Sequence, residues 1–207
     1  MKLAASMGLT RSVASIIVAL MLTVVPARTP ALAQAGYAID GRFGSITFSV
    51  SHLGLFSSEG QFRTFDAALA IDPSHVERTR IDVEVAAASV VMDWPDGAAK
   101  LRSADFFDTA RYPRIHFVST EVVPASPGTF RVKGRLTIRG VTHPLVLMAT
   151  LIGVQGNKAG TPKVADFVVT GKLSRSAYGM DADRLFISDT VDLTIRARIR
   201  LADAAHG

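Results

Sequence analysis

The chain contains no cysteine. Disulfides, thiolate catalysis and iron–sulfur clusters are therefore excluded, and the fold must stand on its core alone. Histidine is sparse and scattered. His52, His75, His116, His143 and His206 never fall two, three or four positions apart, so no local metal-ligand pair exists. A nucleophile elbow, a phosphate loop and a dinucleotide fingerprint are all missing. Asp181, Asp183 and Asp189 share a loop, but their spacing is not that of a calcium-binding loop. With no catalytic set, no metal site and no cofactor motif, the residues do not point to an enzyme. Linkers, low-complexity stretches and internal repeats are absent after Gln34.

Long hydrophobic runs are equally scarce. One charge-free run extends from Ser12 to Pro26, between Lys2 and Arg11 on one side and Ala31-Leu32-Ala33 on the other. It is too short for a comfortable membrane span, which needs about 20 apolar residues. Its flanks and small-x-small site are those of a cleavable secretory signal peptide over residues 1–33. No cysteine follows the cleavage site to carry a lipid, and no twin-arginine pair precedes the run. Residues 34–207 form the mature domain, in a periplasmic or otherwise extracytoplasmic location. The formal net charge of +5 then shrinks. Lys2, Arg11 and Arg28 leave with the signal peptide, so the 23 basic residues become 20 against 18 acidic ones, a net of +2. Nucleic-acid binding, which needs a strongly basic, clustered footprint, is not supported.

What the mature chain does have is alternation with a period of two. Phe130, Val132, Gly134, Leu136 and Ile138 share one parity, and Arg131, Lys133, Arg135, Thr137 and Arg139 the other. From Val191 to Leu201 the pattern repeats, with Leu193, Ile195 and Ile199 opposed to Asp192, Arg196, Arg198 and Arg200. Successive side chains of a strand face opposite ways, so each stretch is a strand with one dry and one wet face. Strands are expected over Ser45–His52, Gly60–Asp72, Arg80–Val90, Arg114–Val123, Thr129–Arg139, Pro144–Ile152, Ala165–Leu173 and Thr190–Leu201. Phe62 and Phe65 lie on opposite parities, which predicts a bulge near Arg63-Thr64. Between Pro95 and Thr109 the alternation breaks, and a short helix or pair of turns should carry Leu101, Phe106 and Phe107 inward. Many strands with one dry face each hide them together by closing into a barrel, which also removes the edges. The expected fold is all-β: an eight-stranded antiparallel lipocalin-like barrel with a short helical insertion. Eight strands give an interior just wide enough to be filled by side chains or to hold one small ligand.

Phe48, Val50, Phe62, Phe65, Leu136, Ile138, Leu147 and Phe167 are the expected interior contacts. Periodicity cannot say whether the aromatics fill the barrel or line a tunnel, and close packing of protein interiors favours filling. His52 ends the first strand on the dry face, as a hydrogen-bonded rim histidine or as a contact for a ligand head group. Arg175 and Tyr178 follow a strand end, where they either meet a head group or hold a packed loop. Arg131, Lys133, Arg135, Arg139, Arg196, Arg198 and Arg200 form a solvated strand face or a transient contact with a membrane surface.

Several segments also match a known family in order: Tyr37-Ala38-Ile39-Asp40, then Ser45 to Gly54 with His52, then Gly60-Gln61-Phe62-Arg63-Thr64-Phe65. Leu101 to Asp108 followed by Tyr112-Pro113-Arg114-Ile115-His116-Phe117, the stretch Gly134 to Pro144, and Arg175-Ser176-Ala177-Tyr178-Gly179 complete the series. Over residues 37–201 the chain resembles the YceI-like family of exported lipid-binding proteins. Phe43 and Ala177 stand where that family usually has a histidine and an acid. The resemblance implies an extended lipocalin-like barrel that holds one long polyisoprenoid, such as a prenyl quinone, or a related amphiphile, for transport or storage. A secreted stress or interaction module with a filled barrel is the alternative from a different class. The oligomeric state stays open between monomer and homodimer.

The signal-peptide assignment predicts that the exported protein begins at Gln34. N-terminal sequencing or intact mass of exported material checks this, and retention of Met1 would refute it.

Overall fold

The structure, a computed structural model, describes residues 36–39, 44–72, 74–94, 96–156 and 162–201. The expected signal peptide, Phe43, Pro73, Pro95 and most of the turn between Gly156 and Pro162 lie outside the described residues.

Among the described residues the chain forms eleven strands in one antiparallel sheet. They are β1 (Gly36–Ile39), β2 (Ser45–His52), β3 (Phe56–Phe62), β4 (Phe65–Ala70), β5 (Arg80–Ala86), β6 (Val90–Met92), β7 (Arg114–Ser126), β8 (Thr129–Ile138), β9 (Val141–Gly156), β10 (Pro162–Ser174) and β11 (Ile187–Leu201). Hydrogen bonding joins them in the order β1-β4-β5-β7-β8-β9-β10-β11-β2-β3-β6, and β1 also pairs with β11, which closes the ring. The eleven segments fill eight positions. β1 and β2 both pair with β11, β3 and β4 continue one another beside them, and β5 and β6 do the same. The eight expected strands are therefore present, two of them broken, and β1 is an additional short strand that shares the position of β2 along β11.

The breaks face each other and are stitched together. The expected bulge separates β3 from β4 at Arg63-Thr64, and a 3₁₀ turn over Ala87–Ser89 separates β5 from β6. Arg63 N donates to the Ser89 carbonyl at 3.2 Å, Thr64 N to Ser89 Oγ at 3.1 Å, and Ala86 N to the Thr64 carbonyl at 3.0 Å. Two adjacent strands thus bend together, and no backbone donor named here is left dry.

Several strands run longer than expected: β3 starts at Phe56, β7 ends at Ser126, β10 starts at Pro162 and β11 at Ile187. β9 starts at Val141, because Arg139 and Gly140 both take positive φ (52° and 74°) and close a two-residue hairpin directly. Pro144 therefore lies inside a strand. It is tolerated because β9 pairs there only with β8, and its pairing with β10 extends no further in this direction than Leu147.

The expected helix is α1 (Gly97–Arg102), followed by tight turns to Pro113. β6 is the end of the hydrogen-bonded order, and this segment lies against it. Arg102 donates to the Ala88 and Val90 carbonyls, both at 2.9 Å, while Arg139 reaches from the β8–β9 turn to the Phe106 carbonyl at 2.7 Å.

The dry parity packs inward as expected. Phe48, Val132, Leu136, Ile138, Leu145 and Leu147 are buried in one cluster that also takes Phe107 and Tyr178. The wet parity pairs across strands: Lys133 with Glu121 at 2.6 Å, and Arg198 with both carboxylate oxygens of Asp166 at 2.6 and 3.0 Å. Leu136 is 6% exposed and Arg135, its neighbour, points out. Leu136→Asp should therefore cost more than about 3 kcal/mol, by burying an unpaired charge, whereas Arg135→Asp should stay within about 0.5 kcal/mol of wild type. Denaturant midpoints of the two variants check this; equal losses would mean that the parity is wrong.

Candidate functional site

The barrel is not filled. A cavity of about 740 Å³ runs inside it, between Ile71, Asp72 and Val154 near one end and Trp94, Lys100 and Phe186 at the other. This corrects the expectation from packing density. The physical reason lies in glycines set among the inward positions. A Cβ on Gly60 would come within 2.2 Å of the Phe48 ring, one on Gly134 within 2.4 Å of the Phe117 ring, and one on Gly171 within 2.5 Å of the Leu147 side chain. Each large side chain lies across a glycine on the adjacent strand, flat against the wall, and the barrel axis stays open.

Most of the expected contacts line this cavity. Phe48, Val50, His52, Phe62, Leu136 and Ile138 do so from the strands, with Leu147 and Phe167 opposite. Leu101, Phe106 and Phe107 line it from α1 and the turn after it, and Arg175 from the end of β10. Two do not. Phe65 sits beyond the Arg63-Thr64 break, half-buried, with its ring over the backbone of Gly44. Tyr178 is buried behind the wall, edge-on to His143 with ring centroids 5.2 Å apart, and burial raises its phenol above the ordinary value.

The two neighbouring phenylalanines have different roles. Phe107 packs edge-on against Phe48 and Phe62, at 6.2 and 5.4 Å between centroids, and belongs to the core. Phe106 is buried under the Lys100 ammonium, which stands 5.7 Å from its ring centroid.

Arg175 is a structural residue. Its guanidinium donates to four backbone carbonyls, those of Met180 and Ala182 at 2.7 Å, Ser188 at 2.9 Å and Ile187 at 3.0 Å. It is 4% exposed and ties the chain between Met180 and Ser188 to the barrel end. Only a planar five-donor fork can reach four carbonyls at once. The backbone of the same turn is held by Asp189, whose Oδ2 accepts from Ser174 Oγ at 2.6 Å and Oδ1 from Ser176 N at 2.9 Å. Those hydrogen bonds, from Ser174 first and then Ser176, hold the carboxyl below the ordinary aspartate value.

Most of the polar groups that reach the cavity gather at the α1 end, with Asp72 at the other. Ser58 Oγ and His52 Nε2 are 2.8 Å apart, and the His52 ring stacks on Phe56 at 4.9 Å. Lys100 Nζ is 2.6 Å from Asp183 Oδ2. This contact, then the charges of Lys100 and Arg175, keep the Asp183 carboxyl ionised below its ordinary range. Among the described residues no carboxylate hydrogen-bonds the His52 ring, so the Ser58–His52 pair lacks the third group that a hydrolytic triad requires. Sequence alone does not bring Ser58, Trp94, Lys100 or Asp183 to the cavity. Their positions depend on loops meeting across the barrel end, and no periodicity records that.

A closed antiparallel barrel around a long apolar cavity defines a lipocalin-like barrel. The YceI-like domain model matches residues 37–199, and the chain belongs to that family. A UPF0312 protein of Vibrio cholerae is 36% identical over 148 residues, 70% of this chain and 78% of that protein. Protein YceI of Escherichia coli is 34% identical over 163 residues, 78% of this chain and 84% of that one. Among solved structures, BcnA of Burkholderia cenocepacia superposes with a TM-score of 0.70 at 21% identity, over 77% of this chain and 98% of that chain. A polyisoprenoid binding domain from Saccharophagus degradans, implicated in plant cell wall breakdown, superposes at 0.59 with 14% identity, over 80% and 98%.

The Asp189 contacts predict a pH dependence. The carboxyl titrates lower in the folded than in the unfolded chain. Its contribution to stability is therefore complete above the ordinary aspartate range and is lost as pH falls through the lower folded value. Asp189→Asn should cost about 1 kcal/mol at pH 7, and the gap to wild type should narrow below about pH 4. Urea unfolding at the two pH values measures it; a gap that widens in acid would contradict the assignment.

Proposed function

We propose that this protein is an exported binder, not an enzyme, that holds one long apolar chain inside its barrel. A polyisoprenoid such as a prenyl quinone is the ligand class proposed. The observation that carries this reading is the continuous 740 Å³ apolar cavity, with its polar groups at the ends. Such a shape suits a ligand with a long hydrocarbon tail and a small polar head. The name of the Saccharophagus degradans domain supports the same ligand class.

The size of the cavity sets a scale. If a methylene takes roughly the ~30 Å³ that a water molecule occupies in the liquid, on the order of 25 carbon atoms fit. That corresponds to about five isoprene units at the same density. Each buried methylene contributes about 0.8 kcal/mol, against roughly 4–15 kcal/mol for immobilising the chain. Binding at micromolar concentration or tighter therefore needs few polar contacts. Selectivity follows from length and shape, and the His52–Ser58 pair is the proposed contact for a quinone carbonyl or prenol hydroxyl. The periplasmic location expected from the signal peptide fits a carrier or store of such a lipid.

Delipidated protein should bind a prenyl quinone delivered from cyclodextrin one to one at micromolar concentration, measured by quenching of Trp94 fluorescence. Protein purified from its own periplasm should carry an apolar mass in native mass spectrometry. Phe106→Ala should speed release roughly tenfold with a smaller loss of stability than Phe107→Ala, because Phe106 covers the α1 end outside the main core cluster. Phe107→Ala, a core truncation, should instead cost about 3–5 kcal/mol. A wild-type protein that takes up neither prenyl quinones nor fatty acids would refute the proposal.

A further inference from the structure

The strongest unexplained feature is a group of large apolar side chains standing in solvent at the α1 end of the barrel. Leu53, Leu55 and Phe56 come from the β2–β3 turn, and Leu185 and Phe186 from the loop before β11. Leu55 is 82% exposed and Leu185 is 85% exposed. The two segments are joined: Leu53 N donates to the Phe186 carbonyl at 3.1 Å, and His52 pairs with Ile187. They form one rim, and it is continuous with the cavity, because Phe186, Ile187 and His52 line that cavity too.

We propose that this rim inserts into a lipid bilayer and that the cavity is filled from the membrane through it. The inference rests on the binding function proposed above and names the donor of the ligand. Three observations favour a bilayer over a second copy of the chain. First, five exposed side chains fall well short of the roughly 20–30 residues a side that a stable dimer uses. Second, Phe186 is both 60% exposed on the rim and part of the cavity lining, so a hydrocarbon chain passing from bilayer to cavity there would cross little water. Third, the turn accepts backbone strain in order to present its leucine. Leu53 sits at φ 52° before Gly54 at φ 71°, where Asn or Asp would be at ease and a bulky residue is not. Burial within the protein does not offset that strain, since Leu53 is itself exposed.

The charges around the rim fix the character of the interaction. Arg184 pairs with Asp181 at 3.0 Å and Lys100 with Asp183 at 2.6 Å, so both cations are balanced by neighbours on the spot. Insertion is driven by apolar contact and not by anionic head groups, and it requires neither anionic lipid nor low salt.

The test is flotation of the exported protein with vesicles of phosphatidylcholine alone and of phosphatidylcholine mixed with phosphatidylglycerol. Trp94 is the chain's one tryptophan and lines the cavity at the same end, against Gly97 of α1, so its blue shift and its quenching by brominated lipid report insertion directly. Wild type should bind both vesicle types, with little change between low and high salt. Leu55→Ser combined with Leu185→Ser should weaken binding roughly tenfold or more and slow transfer of a prenyl quinone from vesicles, while uptake from cyclodextrin stays at the wild-type level. Leu53→Asn should raise the melting temperature and still weaken vesicle binding, which a purely structural role for Leu53 would not produce. Equal flotation of wild type and double variant overturns the proposal. So does a wild-type dimer that the double variant breaks without either protein floating, which would make the rim an interface between copies. Binding abolished by salt also overturns it and moves the contact to the basic strand face. Failure of wild type to take up ligand from cyclodextrin strikes the cavity function instead, and flotation still decides the rim.

Discussion

Large side chains held flat against the wall of the barrel are the constraint on which this molecule depends. Eight strand positions enclose a space that phenylalanines and leucines would ordinarily close. Here Phe48 lies over Gly60, Phe117 over Gly134 and Leu147 over Gly171, each on a neighbouring strand. The glycine removes the side chain that would push the ring toward the axis. The core is therefore a lining one residue thick, and its apolar surface faces a lumen as much as it faces other side chains. Stability and capacity come from the same residues, which is why core packing in this barrel cannot be separated from the shape of the cavity.

A wall of that kind leaves the barrel end without a plug, and arginine supplies the fastening. Arg102, Arg139 and Arg175 each donate to backbone carbonyls of irregular segments, and not to carboxylates. Carbonyl acceptors orient the guanidinium without bringing in a second charge that would need desolvation. Arg102 ties α1 to the break between β5 and β6. Arg139 joins the turn at Phe106 to Gly179, at 2.7 and 2.9 Å. Arg175 gathers the chain from Met180 to Ser188. The α1 end is thus built from loops held at a few points, where the strands end and the backbone has no ladder to satisfy it.

That construction accounts for the difference between the two kinds of surface. Along the strands the outward charges pair across the sheet, as in Arg198 with Asp166 and Lys133 with Glu121. At the α1 end exposed leucines and phenylalanines stand beside the Lys100–Asp183 and Arg184–Asp181 pairs. The chain belongs to the YceI-like family over nearly the whole of its described barrel, and the family fold supplies the barrel and its lumen. The rim is built by the β2–β3 turn and the loop before β11.

The strands were legible because alternation is a local signal. One dry and one wet face per strand follows from the pleat, and the side on which Leu136 or Phe48 would lie needed no knowledge of its neighbours. The same holds for the bulge at Arg63-Thr64, where Phe62 and Phe65 change parity. The start of β9 was misread because Arg139-Gly140 closes a turn that an arginine does not announce, and Pro144 hid the strand behind it. Whether the barrel is filled or open was not legible at all. It depends on which glycine stands beside which ring across the sheet, a fact of register between residues as far apart as Phe48 and Gly60, or Leu147 and Gly171. The same is true of Arg175, whose four carbonyl partners come from a loop up to 13 residues further along the chain. Local sequence determined the strands, their faces and the all-β class, because backbone geometry alone enforces a period of two. Only the tertiary structure decided that the interior is a cavity and that His52, Ser58, Lys100 and Asp183 meet at one end of it, because both depend on side chains that become neighbours only when the sheet closes.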